Sequence, residues 1–152
     1  MDQRVIAPVN TLLPAGFDDM RAEAHAEGYR FLERLALEWR SGACRFDRAG
    51  ETLLAAHIGG TLAGVGGITR DPIVAGHSRM RRFYVRAPFR CHGIGRELVS
   101  ALLAIHPHPR RPVLVNAGTA DAPAFWEGLG FTPDPRDGHT HMFAPVDAKS
   151  LP

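Results

Sequence analysis

The sequence predicts an α/β fold with a mixed, partly antiparallel central sheet flanked by helices. Three observations predict it. An apolar stripe at spacings of three and four runs through residues 17–40. Two β-like runs with a glycine pair between them then read as a hairpin, which makes part of the sheet antiparallel. Beyond the hairpin, strand and helix patterns alternate. The 152 residues suit one core, and no repeat, low-complexity tract or linker divides them. Residues 1–147 therefore read as a single domain, and residues 148–152 as a flexible, frayed tail.

In order, residues 5–9 form a short first strand. The stripe Phe17, Met20, Ala24, Tyr29, Leu32, Leu35, Ala36, Trp39 marks helix, split in two at Gly28 because glycine inside a helix costs about 1 kcal/mol. Ser41-Gly42 ends the second helix. Residues 51–58 and 61–70 are the hairpin strands around Gly59-Gly60. Gly64-Val65-Gly66-Gly67 lies inside the second of them and reads as a close-packed or bulged strand. Residues 81–85 are a third β segment. Residues 94–106 return to helix, with Ile94, Leu98, Leu102 and Ile105 on one face and Pro107 and Pro109 as the stop. A short buried-type strand at 112–116, a helix at 120–129 ended by Gly130, and a last strand at 140–146 complete the chain.

The net charge of +2 predicts no polyanionic partner, but its distribution is uneven. Between Arg79 and Arg111 stand eight arginines against one acid, Glu97. Such a segment either draws a phosphorylated ligand or is a solvated basic face. No nucleic-acid recognition motif accompanies it. No apolar run is long enough to span a bilayer, and no export signal follows Met1. Cys44 and Cys91 fit neither a zinc pattern nor a disulfide framework, so a reducing cytoplasm is the expected location. His139-x-His141 and His106-x-His108 lack a third spaced ligand, and no metal is expected. An open sheet edge would permit a homodimer.

The segment that carries chemistry is Tyr84-Val85-Arg86-Ala87-Pro88-Phe89-Arg90-Cys91-His92-Gly93-Ile94-Gly95-Arg96. A strand runs through a tight turn with two glycines into a helix. The first N–H groups of a helix lack internal partners and carry the positive end of its dipole. Glycine lets that backbone approach a ligand closely, so the turn suits a diphosphate, with Arg90 and Arg96 adding charge on either side. A Gly-rich turn that only joins strand to helix is the competing reading. The chain has no G-x-x-x-x-G-K-[ST], and Gly64-Val65-Gly66-Gly67 lacks the third glycine of a dinucleotide fingerprint.

The spacing Arg90-x-x-Gly93-x-Gly95 after Phe83-Tyr84-Val85 resembles the acetyl-CoA motif Q/R-x-x-G-x-G/A of the GNAT N-acetyltransferase superfamily. Ala124-Phe125-Trp126-Glu127-Gly128-Leu129-Gly130-Phe131 is similar to that family's second signature, and the likeness covers roughly residues 5–146. It implies a GNAT-like (acyl-CoA N-acyltransferase) fold whose splayed sheet takes the pantetheine arm of acetyl-CoA, the co-substrate. The implied reaction is transfer of its acetyl group to a primary amine of a small molecule or peptide by direct attack in a ternary complex. Backbone groups of Phe83, Tyr84 and Val85 would bind pantetheine and polarise the thioester. The N–H groups of Cys91, His92, Gly93, Ile94, Gly95 and Arg96 would hold the pyrophosphate, and Thr119, Ala122 and Phe125 would flank the thiol end.

The chain departs from the family pattern at Trp126, where many members have a tyrosine that protonates the leaving thiolate. Indole cannot take that role, so a non-catalytic acyl-CoA-binding sensor or interaction module is the alternative function. Thr119 stands where asparagine is usual and could cap the following helix. His141 is the candidate general base, sharing a strand face with His139; a packed histidine is the other reading. Cys91 could be a lowered-pKa thiol, though it lies at the wrong end of the cofactor for acyl transfer. The helical join at residues 25–29 would overhang the acceptor. Tyr29 there reads equally as core, and Glu23 and Glu27 suit a cationic amine or a plain helix surface.

Overall fold

The computed structural model of the protein describes residues 3–106, 111–136 and 138–144. Among them the elements run β1 (Arg4–Pro8), α1 (Phe17–Ala26), α2 (Phe31–Ser41), β2 (Thr52–Ile58), β3 (Thr61–Arg70), β4 (Ser78–Val85), α3 (Ile94–Ile105), β5 (Val113–Val115), α4 (Ala122–Gly128), β6 (Thr132–Arg136) and β7 (His139–Phe143). One sheet has the order β1-β2-β3-β4-β5-β7-β6. Every pair is antiparallel except β4 with β5. This is the mixed, helix-flanked sheet that the sequence predicts.

Most ends shift by a residue or two, and three differences are larger or have a plain physical cause. β6 was not anticipated, because Pro133 and Pro135 argue against a strand; at the sheet's edge a missing N–H costs no ladder bond. β4 begins at Ser78, three residues early, since its first residues pair with Thr69 and Arg70 of β3. α4 begins at Ala122 with Asp121 as N-cap, and no side chain caps it. Thr119 instead accepts the Ala122 N–H on its backbone carbonyl at 3.3 Å. Pro107 and Pro109, the 145–146 end of the expected last strand and the tail 148–152 lie outside the described residues.

Two apolar layers pack the sheet. On one face Phe17, Met20, Leu32, Leu35 and Trp39 of α1 and α2 bury Leu53, Ala55, Leu62, Val65 and Tyr84. On the other, Ile94, Leu98, Val99 and Leu102 of α3 and Trp126 of α4 bury Leu54, Ala56, Ala63, Ile68 and Met80. β2 alternates between the layers with the strand period of two, so both faces of its middle are covered. Gly28 does separate α1 from α2: its φ of 91° is a left-handed conformation, which glycine adopts without steric cost.

Two irregularities shape the functional region. β4 and β5 share only the rungs Ser78↔Val113 and Arg79↔Leu114, so the rest of β4 leaves β5 and a gap opens towards Val85. The β3–β4 register also shifts between Val65 and Gly67, opposite Arg82, whose φ is 62°. That bulge resets the alternation along β4: Met80 and Phe83 face α3 and α4, while Tyr84 faces α1 and α2. Arg82 is held in its uncommon conformation by Glu38 of α2, 2.8 Å from its Nη2.

Candidate functional site

The gap between β4 and β5 leads to the turn that starts α3. Pro88 lies in a short 3-10 turn, Ala87–Phe89, and the chain then reverses through Cys91 (φ 65°) and Gly93 (φ 82°) into the helix. Glycine is required at 93 because an L side chain there would be strained, and a left-handed residue at the N-cap turns the first N–H groups outward. The Glu97 N–H, on the Gly93 carbonyl at 3.0 Å, is the first in α3 with a backbone partner. Those of Ile94, Gly95 and Arg96 have none among the described residues, and no side chain caps them. Cys91, His92 and Arg96 are exposed around this cradle.

Aromatic packing builds the adjoining wall. The Phe125 ring lies 3.0 Å from where a Cβ on Gly95 would stand, so any larger residue at 95 would push that ring outward. Phe125 remains 38% exposed, on the rim. Trp126 is 5% exposed and stacks edge-on with Phe83, Phe125 and Phe131, centroids 5.1, 5.1 and 5.0 Å apart. The Phe83 ring in turn covers Gly66. The fold thus brings together Phe83, Val85, Gly95 and Phe125 from three separate elements. Ala122 and Thr119 precede Phe125 at the start of α4. The N–H groups of Ile94, Gly95 and Arg96, unpaired among the described residues, and the open approach at Gly93 fit a diphosphate carried by an extended cofactor.

Arg90, which the motif places beside the diphosphate, bonds within the protein in this structure. Its Nη1 and Nη2 donate to Glu27 at 2.8 and 2.6 Å, and its Nε donates to the Val85 carbonyl at 2.8 Å. Its guanidinium also lies over the Tyr84 ring, 5.4 Å from the centroid, while the Tyr84 hydroxyl donates to Glu27. Arg86 repeats the pattern one turn away, holding Glu23 at 3.0 and 2.6 Å. Hydrogen bonds from Arg90 and Tyr84 hold the Glu27 carboxyl down at about 2. Burial and the Glu27 carboxylate push the Tyr84 phenol above its ordinary value. Glu23 of α1 and Glu27 at its C-cap therefore pair with Arg86 and Arg90, on either side of the short turn Ala87–Phe89. Sequence reading missed this ladder, whose partners lie 63 residues apart. It also missed Arg4, which reaches Glu97 of α3 at 2.6 Å and lies 4.0 Å from the Cβ position of Gly93.

His139 and His141 do share a face, and both are buried. His141 Nε2 lies 2.8 Å from Glu127 and its Nδ1 2.8 Å from the Thr140 hydroxyl, which accepts the Ala117 N–H at 2.9 Å. His139 Nε2 lies 2.9 Å from Asp134, whose carboxyl that contact holds below its ordinary value. For His141 to accept a proton from an amine, Glu127 would have to release Nε2. Tyr29 joins the core side, its ring 5.7 Å from Phe31 and 6.4 Å from Tyr84. No helix among the described residues is long and apolar enough to cross a membrane.

The acetyltransferase (GNAT) family model matches residues 16–131, and the chain belongs to that family. No curated protein matches it by sequence. A protein of Exiguobacterium sp. 255-15 described as a candidate acetyltransferase superposes with a TM-score of 0.83 at 24% identity, over 98% of this chain and 96% of its own. An acetyltransferase of Streptococcus agalactiae 2603 gives 0.72 at 12%, over 93% and 98%. The PaiA N-acetyltransferase of Thermoplasma acidophilum, solved with coenzyme A, gives 0.63 at 16%, over 92% and 96%. At these identities the likeness establishes the shared fold.

Proposed function

We propose that this chain moves the acetyl group of acetyl-CoA to a primary amine by direct attack in a ternary complex. The observation that carries the reading is the cradle of unpaired α3 N–H groups opening onto the unpaired stretch of β4. Cys91, His92, Gly93, Ile94, Gly95 and Arg96 hold the diphosphate. The free backbone edge at Phe83, Tyr84 and Val85 aligns the arm, and Thr119, Ala122 and Phe125 flank its thiol end. Holding both substrates in one cleft removes entropy from the barrier, and a fixed N–H stabilises charge developing on the thioester oxygen. The amine nitrogen bonds to the acyl carbon, the carbon–sulfur bond breaks, and the proton lost by nitrogen leaves to solvent while sulfur departs as thiolate. The test is release of the coenzyme A thiol in the presence of a panel of primary amines. Turnover with any amine above the hydrolysis background supports the reading.

A second reading, a non-catalytic acyl-CoA-binding module, is favoured by one observation. Trp126 occupies the place of the family's proton donor and is locked in an aromatic cluster. Tight acetyl-CoA binding without turnover on any amine or by hydrolysis would select it.

A further inference from the structure

On the α2 side of β4, Arg81 is partly buried, and its side chain takes part in no hydrogen bond or ion pair among the described residues. It lines an open cavity of about 390 Å³ with Glu38, Cys44, Arg48, Thr69 and Asp71. Of the acids there, Asp47 is exposed on the rim, and Glu38, Asp71 and Glu51 each have a partner of their own. Glu38 pairs with Arg82 at 2.8 Å. Asp71 pairs with Arg79 at 2.8 Å and accepts the N–H groups of Ile73 and Val74 at 2.9 and 2.6 Å. Glu51 accepts the Arg70 N–H at 3.3 Å. Burial, with Arg82 alongside, pulls the Arg81 pKa below the ordinary arginine value. The Glu38 carboxylate offsets part of this without bonding to Arg81; a desolvated guanidinium with no hydrogen-bonded partner is costly, and a bound anion would relieve that cost. A guanidinium offers paired donors that match a carboxylate.

The position gives this site a purpose. Arg81 is two residues past the last β4–β5 rung, at the closed end of the gap. It faces the side opposite α3 and α4, from which an amine would have to meet a cofactor held by α3. By strand rise it stands about 7 Å from Phe83. We propose that Arg81 anchors a carboxylate of the acceptor, so that the amines acetylated here are amino-acid-like molecules. This rests on the acetyltransferase reading above.

The test uses the whole chain, acetyl-CoA and a set of amino acids, each paired with its carboxamide. Wild type should favour the acids over their carboxamides by on the order of 10–100-fold in kcat/KM, the range of a charged hydrogen bond. Arg81→Gln should erase that preference through KM, and Arg81→Lys should retain part of it, with the thermal shift by acetyl-CoA the same in all three. A second readout needs no turnover. Cys44 lines the same cavity, so an amino acid bound at Arg81 should slow its alkylation by iodoacetamide, followed by peptide mass, in wild type and not in Arg81→Gln. Equal or better use of the carboxamides, or a Cys44 rate that no amino acid changes, would overturn the proposal. Cys44 protection without any acetyl-CoA shift would uphold the anion site and bring down the acetyltransferase reading instead.

Discussion

Glu27, at the C-cap of α1, closes on Arg90 of the turn before α3 through two hydrogen bonds, 2.8 and 2.6 Å long. The same carboxylate accepts the Tyr84 hydroxyl, so one acid ties the α1–α2 corner, the β4 end and the turn before α3 together. The arginine of R-x-x-G-x-G is thereby occupied within the protein. In the proposed reading a diphosphate would then rest on the backbone N–H groups at the start of α3, with Arg96 beside them.

The Glu27 pair predicts a particular acid limb. Arg90, then Tyr84, hold its pKa from 4.5 down to about 2. A group whose folded pKa is depressed contributes stability that is full above the unfolded pKa and lost as pH falls through the folded one. The Tm difference between wild type and Glu27→Gln should therefore stay constant from pH 7 to about 5 and shrink between about 4.5 and 2. A difference unchanged down to pH 2.5 would contradict it.

Gly66→Ala should disturb the groove from behind. Its Cβ would stand 2.5 Å from the Phe83 ring, which cannot retreat because Trp126 backs it. Overpacking of this kind costs about 1–3 kcal/mol, a Tm loss of roughly 2–12 °C for a chain of this size. Gly118→Ala, with nothing within 4 Å of the new Cβ, is the control and should change Tm by about 2 °C or less. Calorimetry of the two variants separates the cases, and equal Tm values would refute the packing argument.

Asp71 should be the most costly surface-loop acid to remove. Its side chain is 0% exposed, and it satisfies two backbone N–H groups and Arg79, which in turn donates to the Gly138 carbonyl. Burial works against its charge, but the N–H groups of Val74 and Ile73 and the Arg79 guanidinium leave the carboxyl below its ordinary value. Asp71→Ala leaves those donors without an acceptor, a loss of about 3–5 kcal/mol in urea unfolding. A loss under about 1 kcal/mol would mean that water replaces the carboxylate.

The parts of this fold that were legible in the sequence are those written in local pattern. The α1 and α2 stripe, the Gly59-Gly60 hairpin and the Gly93-x-Gly95 turn each declare themselves in one continuous stretch of chain. β6 was hidden because Thr132-Pro-Asp-Pro-Arg carries two prolines that only an edge strand tolerates. The parity reset at Arg82, which decides that Phe83 and not Arg82 faces α4, leaves no mark in a run of arginines and aromatics. The glycines of β3 hint at it only as a bulge. The Glu23–Arg86 and Glu27–Arg90 rungs and the unpartnered Arg81 depend on elements far apart in the chain, and no spacing rule reaches them.

The most direct measurement is thermal unfolding of wild type and Gly93→Asp with and without excess acetyl-CoA. At about 100 times Kd, a ligand that binds only the folded state adds about 2.7 kcal/mol, or roughly 5–11 °C here. The account predicts that rise in wild type and its absence in Gly93→Asp, where a carboxylate would enter the anion cradle on a strained φ. No rise in wild type with acetyl-CoA, coenzyme A or longer acyl-CoAs would contradict it, and the turn before α3 would then be a structural joint alone.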